Sequence, residues 1–255
     1  MYTNIFDSHA HYDDERFDLD REETIDRLFS SGVTGIINIG CSMERSEKSV
    51  EFARKYDKFY AAVGVHPEDI YDLPKNWLDT LRQWTAYEKV VAIGEIGLDY
   101  HYEGYDRDKQ IQAFRKQLEL AKTVDIPVII HSRDATEDTM NILREYKPKG
   151  VMHCFSGSAE TAKQVLELGM NISFTGVLTF KNARRALSAL EVVPMDRLLL
   201  ETDCPYMAPE PHRGERCDTS LIPFIADKIA EVKGLETQAV LDICTANTKR
   251  LFGIE

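Results

Sequence analysis

Eight short apolar runs rich in β-branched residues recur along the chain, at residues 5–11, 35–40, 60–66, 90–99, 127–132, 150–156, 171–176 and 198–203. Most are continuously apolar, as in VVAIG and PVIIH, which is the pattern of strands covered on both faces. Segments with helical spacing lie between them. Strands alternating with helices build a parallel sheet, and eight such units in a chain of this length predict a closed (β/α)8 TIM-like barrel of the α/β class. An open, doubly wound sheet uses the same alternation, and counting strands does not separate the two. No Pro-, Gly- or Ser-rich linker and no charge block interrupts the pattern, so we read one domain over residues 1–255. A chain this long can bury a large core without covalent staples.

Several of the intervening helices carry their own punctuation. Ile25, Leu28 and Phe29 fall at i, i+3 and i+4, with Asp20 and Glu23 spaced as a capping box and Gly32 as a stop. Asp134 and Glu137 repeat the cap ahead of Met140 and Leu143. Ser158 precedes Ala162, Val165, Leu166 and Leu168, with Gly169 behind them. The longest stretch sets Ile111, Phe114, Leu118 and Ala121 on one face.

The 31 basic and 43 acidic residues give a net charge of −12, with 29% charged and 43% apolar residues, a balance that excludes low-complexity disorder and extended coiled coil. The acidic excess opposes tight nonspecific coating of nucleic acid, which requires basic surface, but permits an enzyme that touches nucleic acid locally. No apolar run approaches the roughly 18 residues of a membrane span. The opening MYTNIFDSHAHYDDE has neither the basic nor the apolar region of a signal peptide. The five cysteines (Cys41, Cys154, Cys204, Cys217 and Cys244) are odd in number, scattered and in no CxxC pair, which suits reduced thiols. The expected compartment is therefore the cytoplasm. We expect a monomer, because a barrel of this size completes its core without a partner.

His9 and His11 form an H-x-H pair at the end of the first run. Residues i and i+2 of a strand share a face, so both imidazoles can reach one ion. Glu95 lies in GEIGLDY of the fourth run, His131 in VIIHS of the fifth, His153 in GVMHCF of the sixth, and Asp203 ends LLLETD of the eighth. Each stands at or near a strand's C-terminal end, the rim on which a barrel builds its active site. Any one of them alone reads as a hydrogen-bonded core residue or a helix cap. Together, on five strands and at one rim, they read as a metal centre, and histidines mixed with carboxylates suit zinc, manganese or iron better than calcium.

These residues belong to an ordered set of motifs spread over nearly the whole chain: DSHAHYD, GVHP, GEIGLDY, HSRDA, HCFSGS, FTGVLTFKNA, LLLETDCPYMAP and NTKRLFG. As a set they resemble the TatD-type metal-dependent deoxyribonucleases of the amidohydrolase-like barrel superfamily. The resemblance implies a metal site of His9, His11, Glu95, His131, His153 and Asp203, and a hydrolase that cleaves phosphodiester bonds of DNA, in single strands or at ends. One stretch departs from the family. After the eighth run the family usually continues Arg-Gly-x-Arg-Asn-Glu-Pro, whereas this chain has RGERCDT at 213–219. The departure bears on substrate contacts of that loop and not on metal ligation.

For that ligand set we expect two divalent ions (magnesium, manganese or zinc) about 3.5–4 Å apart. His9 and His11 would hold one, His131 and His153 the other, and Glu95, with two oxygens, would bridge them. Asp203 would ligate the first ion and take the proton of the attacking water, whose pKa the ions lower toward about 7. Related amidohydrolases often bridge their ions with a carboxylated lysine on the fourth strand, but no lysine lies between Val90 and Asp99.

A wider circle of residues is open to two readings. His66 in GVHP either contacts a phosphate or the leaving group, or packs beneath the site. Glu201 shares a face with Asp203 and either orients a ligand or forms a salt bridge within the barrel. Arg133, Arg213 and Arg216 follow strand ends and either grip phosphate bidentately or are ordinary surface arginines. Tyr100, Tyr102 and Tyr105 either stack bases or pack their loop. Cys154 and Cys204 flank ligands without the spacing of a structural zinc site and read as buried small residues. Residues 12–20 (YDDERFDLD) carry five acids and one arginine on the catalytic face, as a solvated loop, an extra cation site, or a barrier to a polyanion.

Three functions fit these residues: a metal-dependent phosphodiesterase acting on DNA, a hydrolase of an amide, ester or lactone bond with the same site, and a noncatalytic metal-binding protein. Phosphodiesters need cationic clamps such as Arg133 and Arg213, which neutral amides do not. The resemblance favours the first.

Overall fold

The computed structural model describes residues 2–255. Eight parallel strands pair strictly in chain order: β1 (Ile5–Ala10), β2 (Val33–Ile39), β3 (Phe59–Val63), β4 (Val90–Asp99), β5 (Val128–Arg133), β6 (Gly150–Met152), β7 (Asn171–Phe174) and β8 (Leu198–Leu200). A doubly wound sheet would reverse its strand order at a switch point, and this one does not. The seam between β8 and β1 closes through an isolated parallel bridge, Ala10 to Cys204. At that seam the His11 N–H donates to the Cys204 carbonyl at 2.9 Å and the Ser8 hydroxyl to the Leu200 carbonyl at 2.9 Å. The architecture is a (β/α)8 barrel.

The helices are α1 (Arg21–Ser30), α2 (Met43–Lys55), α3 (Trp77–Trp84), α4 (Arg107–Val124), α5 (Thr136–Tyr146), α6 (Ala159–Glu167), α7 (Arg184–Val192), α8 (Ile222–Lys233) and α9 (Thr237–Phe252). Every residue of β1 and β4 is buried, which is why VVAIG of β4 is apolar without alternation, and the polar residues they carry (Asp7, Ser8, His9, Glu95 and Asp99) are buried as well. One face of each strand meets the helices. The other builds a smaller cluster from seven strands, including Phe6, Ile37, Ala62, Ile129, Val151 and Leu199, which only a barrel lumen can bring together. Leu251, Phe252 and Ile254 plug the lumen at the end away from the site. Outside the barrel, Phe59 is fully buried against Tyr12, Phe29, Phe52 and Tyr56, a burial that contributes about 1.5–3 kcal/mol. No helix among the described residues is long and apolar enough to cross a membrane.

The helix periodicities hold, with Ile25, Leu28, Phe114, Leu118, Ala121, Met140, Leu143, Ala162 and Val165 all buried. Ser158 caps α6, accepting from the Thr161 N–H at 3.2 Å, and Gly32 and Gly169 take left-handed φ of +97° and +82°. Two expected caps do not form. Asp20 stands at the N-cap of α1 without a capping bond, because its carboxylate is bidentate with Arg216 at 2.6 Å on both arms. Asp134 lies one residue ahead of the α5 N-cap Ala135, at φ 53°, and its carboxylate contacts His101 Nδ1 at 2.8 Å. In each case a side chain from a distant loop takes the carboxylate from the local backbone donor.

Candidate metal centre

At the C-terminal rim the strands surround a cavity of about 720 Å³, walled in part by His11, Glu95, His131, His153 and Asp203, with fully buried His9 beneath. Three of these residues stand on loops and not on strands, because β1, β6 and β8 stop at Ala10, Met152 and Leu200. Glu95 is the hub. Its Oε2 lies 3.4 Å from His9 Nε2, while its Oε1 lies 2.7 Å from both His131 Nδ1 and His153 Nε2. Asp203 Oδ1 lies 3.6 Å from His9 Nε2 and 3.4 Å from His11 Nε2. All six residues converge on one rim, and Glu95 faces His9 with one oxygen and His131 and His153 with the other.

Local geometry accounts for this convergence. The β1–β2 register shifts between Asp7 and Ala10, at the H-x-H segment. Below it the buried Asp7 carboxylate accepts from the Thr202 hydroxyl at 2.6 Å, the Thr219 hydroxyl at 2.7 Å, the Thr202 N–H at 3.0 Å and the His9 N–H at 3.3 Å. Burial pushes the Asp7 carboxyl up to about 7. Thr219 closes the departing segment RGERCDT, so this part of the loop clamps the barrel seam. In GEIGLDY, Gly97 has φ +150° and a Cβ there would sit 1.9 Å from the His131 carbonyl oxygen; only glycine lets β4 and β5 approach at that point.

The charges are arranged around cations. Burial would raise the Glu95 carboxyl, but the His153 charge and hydrogen bonds from His131, His153 and His9 hold it well below the usual carboxylate range. Asp203 is likewise held low, His11 and the neighbouring imidazole charges outweighing burial. The reciprocal effect overcomes burial at His11, which Asp203 lifts to about 9, and raises His131 and His153. His9 moves down through burial and the His153 charge. His9 Nε2 and His11 Nε2 face each other at 3.2 Å, where two lone pairs repel unless a proton or another cation stands with them. Nitrogen donors set among ionised carboxylates fit a borderline divalent ion such as zinc or manganese. Donor atoms within 4.8 Å of one another occur in His9–His11–Asp203, in His9–Glu95–His153 and in His66–Asp99–His131.

Asp99 and Arg45 were not singled out in the sequence. Asp99 Oδ2 lies 3.0 Å from His131 Nε2, behind the nitrogen that faces Glu95. Arg45, from the first turn of α2, lines the cavity with its guanidinium 3.4 Å from Asp13 and 3.7 Å from Asp14. The signal for Asp99 was its place in GEIGLDY; for Arg45, 32 residues from Asp13, there was none.

Glu201 is buried behind His153, its Oε1 3.6 Å from Nδ1 and its Oε2 accepting from Ser173 at 2.7 Å. His66 lines the cavity with Nε2 3.8 Å from Glu95, and burial beside His131 pushes it down to about 3, a neutral imidazole. Arg133 lines the cavity over the Tyr102 ring, 5.2 Å from its centroid. Tyr100 is turned away, stacked on Tyr105 and donating to Asp138 at 2.7 Å. Arg213 lies over Phe180, and Arg216 is spent on Asp20; neither walls the cavity. Cys204 is buried, but Cys154 is half-buried at the cavity wall, where it meets the ligand loop. Four of the five acids of segment 12–20 face arginines from outside it: Asp13 and Asp14 face Arg45, Asp18 faces Arg21 and Asp20 faces Arg216.

A family model described as TatD related DNase matches residues 6–253. The chain is 44% identical over 253 residues to an uncharacterized metal-dependent hydrolase, YabD, of Bacillus subtilis, covering 98% of this chain and 99% of the relative. It is 36% identical over 258 residues to the 3'-5' ssDNA/RNA exonuclease TatD of Cronobacter sakazakii, covering 97% of each. Among solved structures, the TatD homolog YJJV of Escherichia coli superposes with a TM-score of 0.93 at 30% identity over the whole of both chains. With its barrel, its histidine–carboxylate centre and its matched length, the chain belongs to the TatD-related family of metal-dependent hydrolases.

Proposed function

We propose that this hydrolase cleaves phosphodiester bonds of DNA, in single strands or at ends, using two divalent ions (magnesium, manganese or zinc) held by His9, His11, His131, His153 and Asp203 around Glu95. The observation that carries the reading is the presence of Arg45 and Arg133 in the same cavity as the Glu95-centred donors. A phosphodiester needs such cations, and a neutral amide or lactone does not. When bound, the ions supply Lewis acidity, which lowers the pKa of a coordinated water and offsets charge on phosphate oxygens.

Asp203, ionised and 15% exposed toward the cavity, accepts the water proton on its carboxylate. His66, neutral and at the wall, hydrogen-bonds the leaving oxygen. Arg45 and Arg133 hold the non-bridging phosphate oxygens, while Asp99 and Glu201 keep His131 and His153 in orientation. The name of the Cronobacter relative supports a nucleic-acid substrate. The setting we propose is the cytoplasm, which suits five free thiols, with the chain acting as a monomer.

The test is a time course on end-labelled single-stranded DNA with magnesium, manganese or zinc, with and without EDTA, and with Asp203→Asn purified in parallel. Metal-dependent cleavage that Asp203→Asn loses is the expected result. Absence of cleavage with any of the three metals overturns the reading in favour of an amide, ester or lactone substrate.

A further inference from the structure

The metal cavity continues past His153 into a smaller pocket of about 140 Å³, the two sharing Ser132, Arg133, His153, Cys154 and Ser156. Arg133, from the end of β5, and Arg185, from the first turn of α7, both line this pocket. Neither has a carboxylate partner among the described residues. Most guanidinium groups near the rim are already engaged by acids: Arg21, Arg45, Arg107 and Arg216 each face a carboxylate. The hydroxyls of Thr136 and Ser156 also line the pocket and have no hydrogen-bond partner among the described residues, whereas Ser132 and Thr161 are bonded to Thr139 and Ser158. The pocket's carboxylate, Asp134, is in contact with His101 at 2.8 Å.

Two unpaired guanidinium groups with two spare hydroxyls are the chemistry of a phosphate site, since arginine forks match phosphate oxygens and hydroxyls supply further donors. A DNA strand crossing the metal centre must carry its next phosphate out through one wall of the cavity. On the Arg45 side the positive charge is shared with Asp13 and Asp14; on the Arg133–Arg185 side no ion pair holds it among the described residues. We infer that the pocket beside His153, where Arg185 stands outside the metal cavity and Arg133 borders both, binds the phosphate adjacent to the scissile one, making substrates with two consecutive phosphodiesters the preferred class. The inference rests on the phosphodiesterase reading above.

The thymidine dinucleotide TpT carries one phosphate and the trinucleotide TpTpT two. The wild-type kcat/KM for TpTpT should exceed that for TpT by about tenfold to a hundredfold, the range of a charge-assisted contact. Arg185→Ala should bring that ratio close to one through a higher KM on the trinucleotide, and Arg185→Lys should keep part of it. Arg185 makes no ion pair or side-chain hydrogen bond among the described residues, so unchanged circular dichroism is expected of both variants. A wild-type ratio near one, or a ratio that Arg185→Ala leaves intact, overturns the subsite while the phosphodiesterase reading stands. Cleavage of neither substrate with magnesium, manganese or zinc overturns that reading and the subsite with it.

Discussion

Asp203 meets His9 through backbone and side chain alike: its N–H donates to the His9 carbonyl at 2.9 Å, and its Oδ1 stands 3.6 Å from His9 Nε2. The backbone bond belongs to the seam that closes the barrel between β1 and the segment after β8, so closing the fold and assembling the site are one event. Asp203→Asn keeps the backbone bond and the side-chain volume but removes the charge that would accept a proton. We expect a folded protein whose DNA hydrolysis falls by about 10²–10⁴, the usual contribution of a general base. Turnover at the wild-type rate, measured on single-stranded DNA with saturating manganese, would take the base assignment away from Asp203.

The same carboxylate sets the pH response. Asp203 lifts His11 to about 9, so this pair stabilises the EDTA-treated protein fully below the ordinary histidine range and loses its contribution as pH rises through about 9. Asp7, pushed up to about 7 by burial, adds a further decline as pH rises from about 4 to 7. Glu95 and Asp203, both held low, withdraw their stabilisation only in acid. His66, pushed down to about 3, and His9, also lowered, add stability as pH rises to the ordinary histidine range, so the metal-free protein should be most stable near neutral pH and its Tm should fall toward pH 9. Bound ions replace the imidazole protons, so manganese should flatten the alkaline side and release protons on binding. A Tm of the EDTA-treated protein that climbs steadily between about pH 6 and 9 contradicts this arrangement of charges.

Arg45 is held over the cavity by two carboxylates, and its loss should act on binding. Arg45→Ala should raise KM for DNA by about tenfold to a hundredfold with kcat changed little, as expected for a charged hydrogen bond made equally in ground and transition states. Asp14→Asn, which loosens the guanidinium without removing it, should show a smaller rise. Steady-state kinetics at fixed salt decide the point; an unchanged KM in Arg45→Ala removes it from the clamp.

The barrel was legible because its strands are buried on both faces and read as uninterrupted apolar runs, as VVAIG in β4 does. The six convergent residues were legible because barrel topology sends every strand's C-terminal end to one rim. The N-caps at Asp20 and Asp134 were misread because spacing reports local partners, and Arg216 and His101 arrive from elsewhere in the chain. The acidic segment 12–20 reads as a solvated loop, an extra cation site or a barrier to DNA for the same reason: Arg45, which faces the buried Asp13 and Asp14, and Arg216 are distant in sequence. Arg213 and Arg216 follow a strand end, yet ring packing and an ion pair hold them off the cavity, which no spacing encodes.

Asp99 offers the sharpest test of the outer contacts. Its Oδ1 accepts the His101 N–H at 2.8 Å and its Oδ2 faces His131 Nε2 at 3.0 Å. A carboxylate there draws a proton to Nε2 and leaves the Nδ1 lone pair of His131 turned toward Glu95 and the ion site. Asp99→Asn can keep the bond to His101, but its amide nitrogen then faces Nε2 and favours the opposite tautomer, with the proton on Nδ1 where a metal would bind. The Asp99 backbone remains pinned through its N–H and C=O to Gln110, both at 2.8 Å, so the fold should survive. We expect the manganese concentration for half-maximal activity to rise about 10–100-fold, the usual cost of losing the partner of a ligating histidine, with kcat largely recovered at saturating metal. An unaltered manganese dependence in Asp99→Asn would show that Asp99 does not set the His131 tautomer.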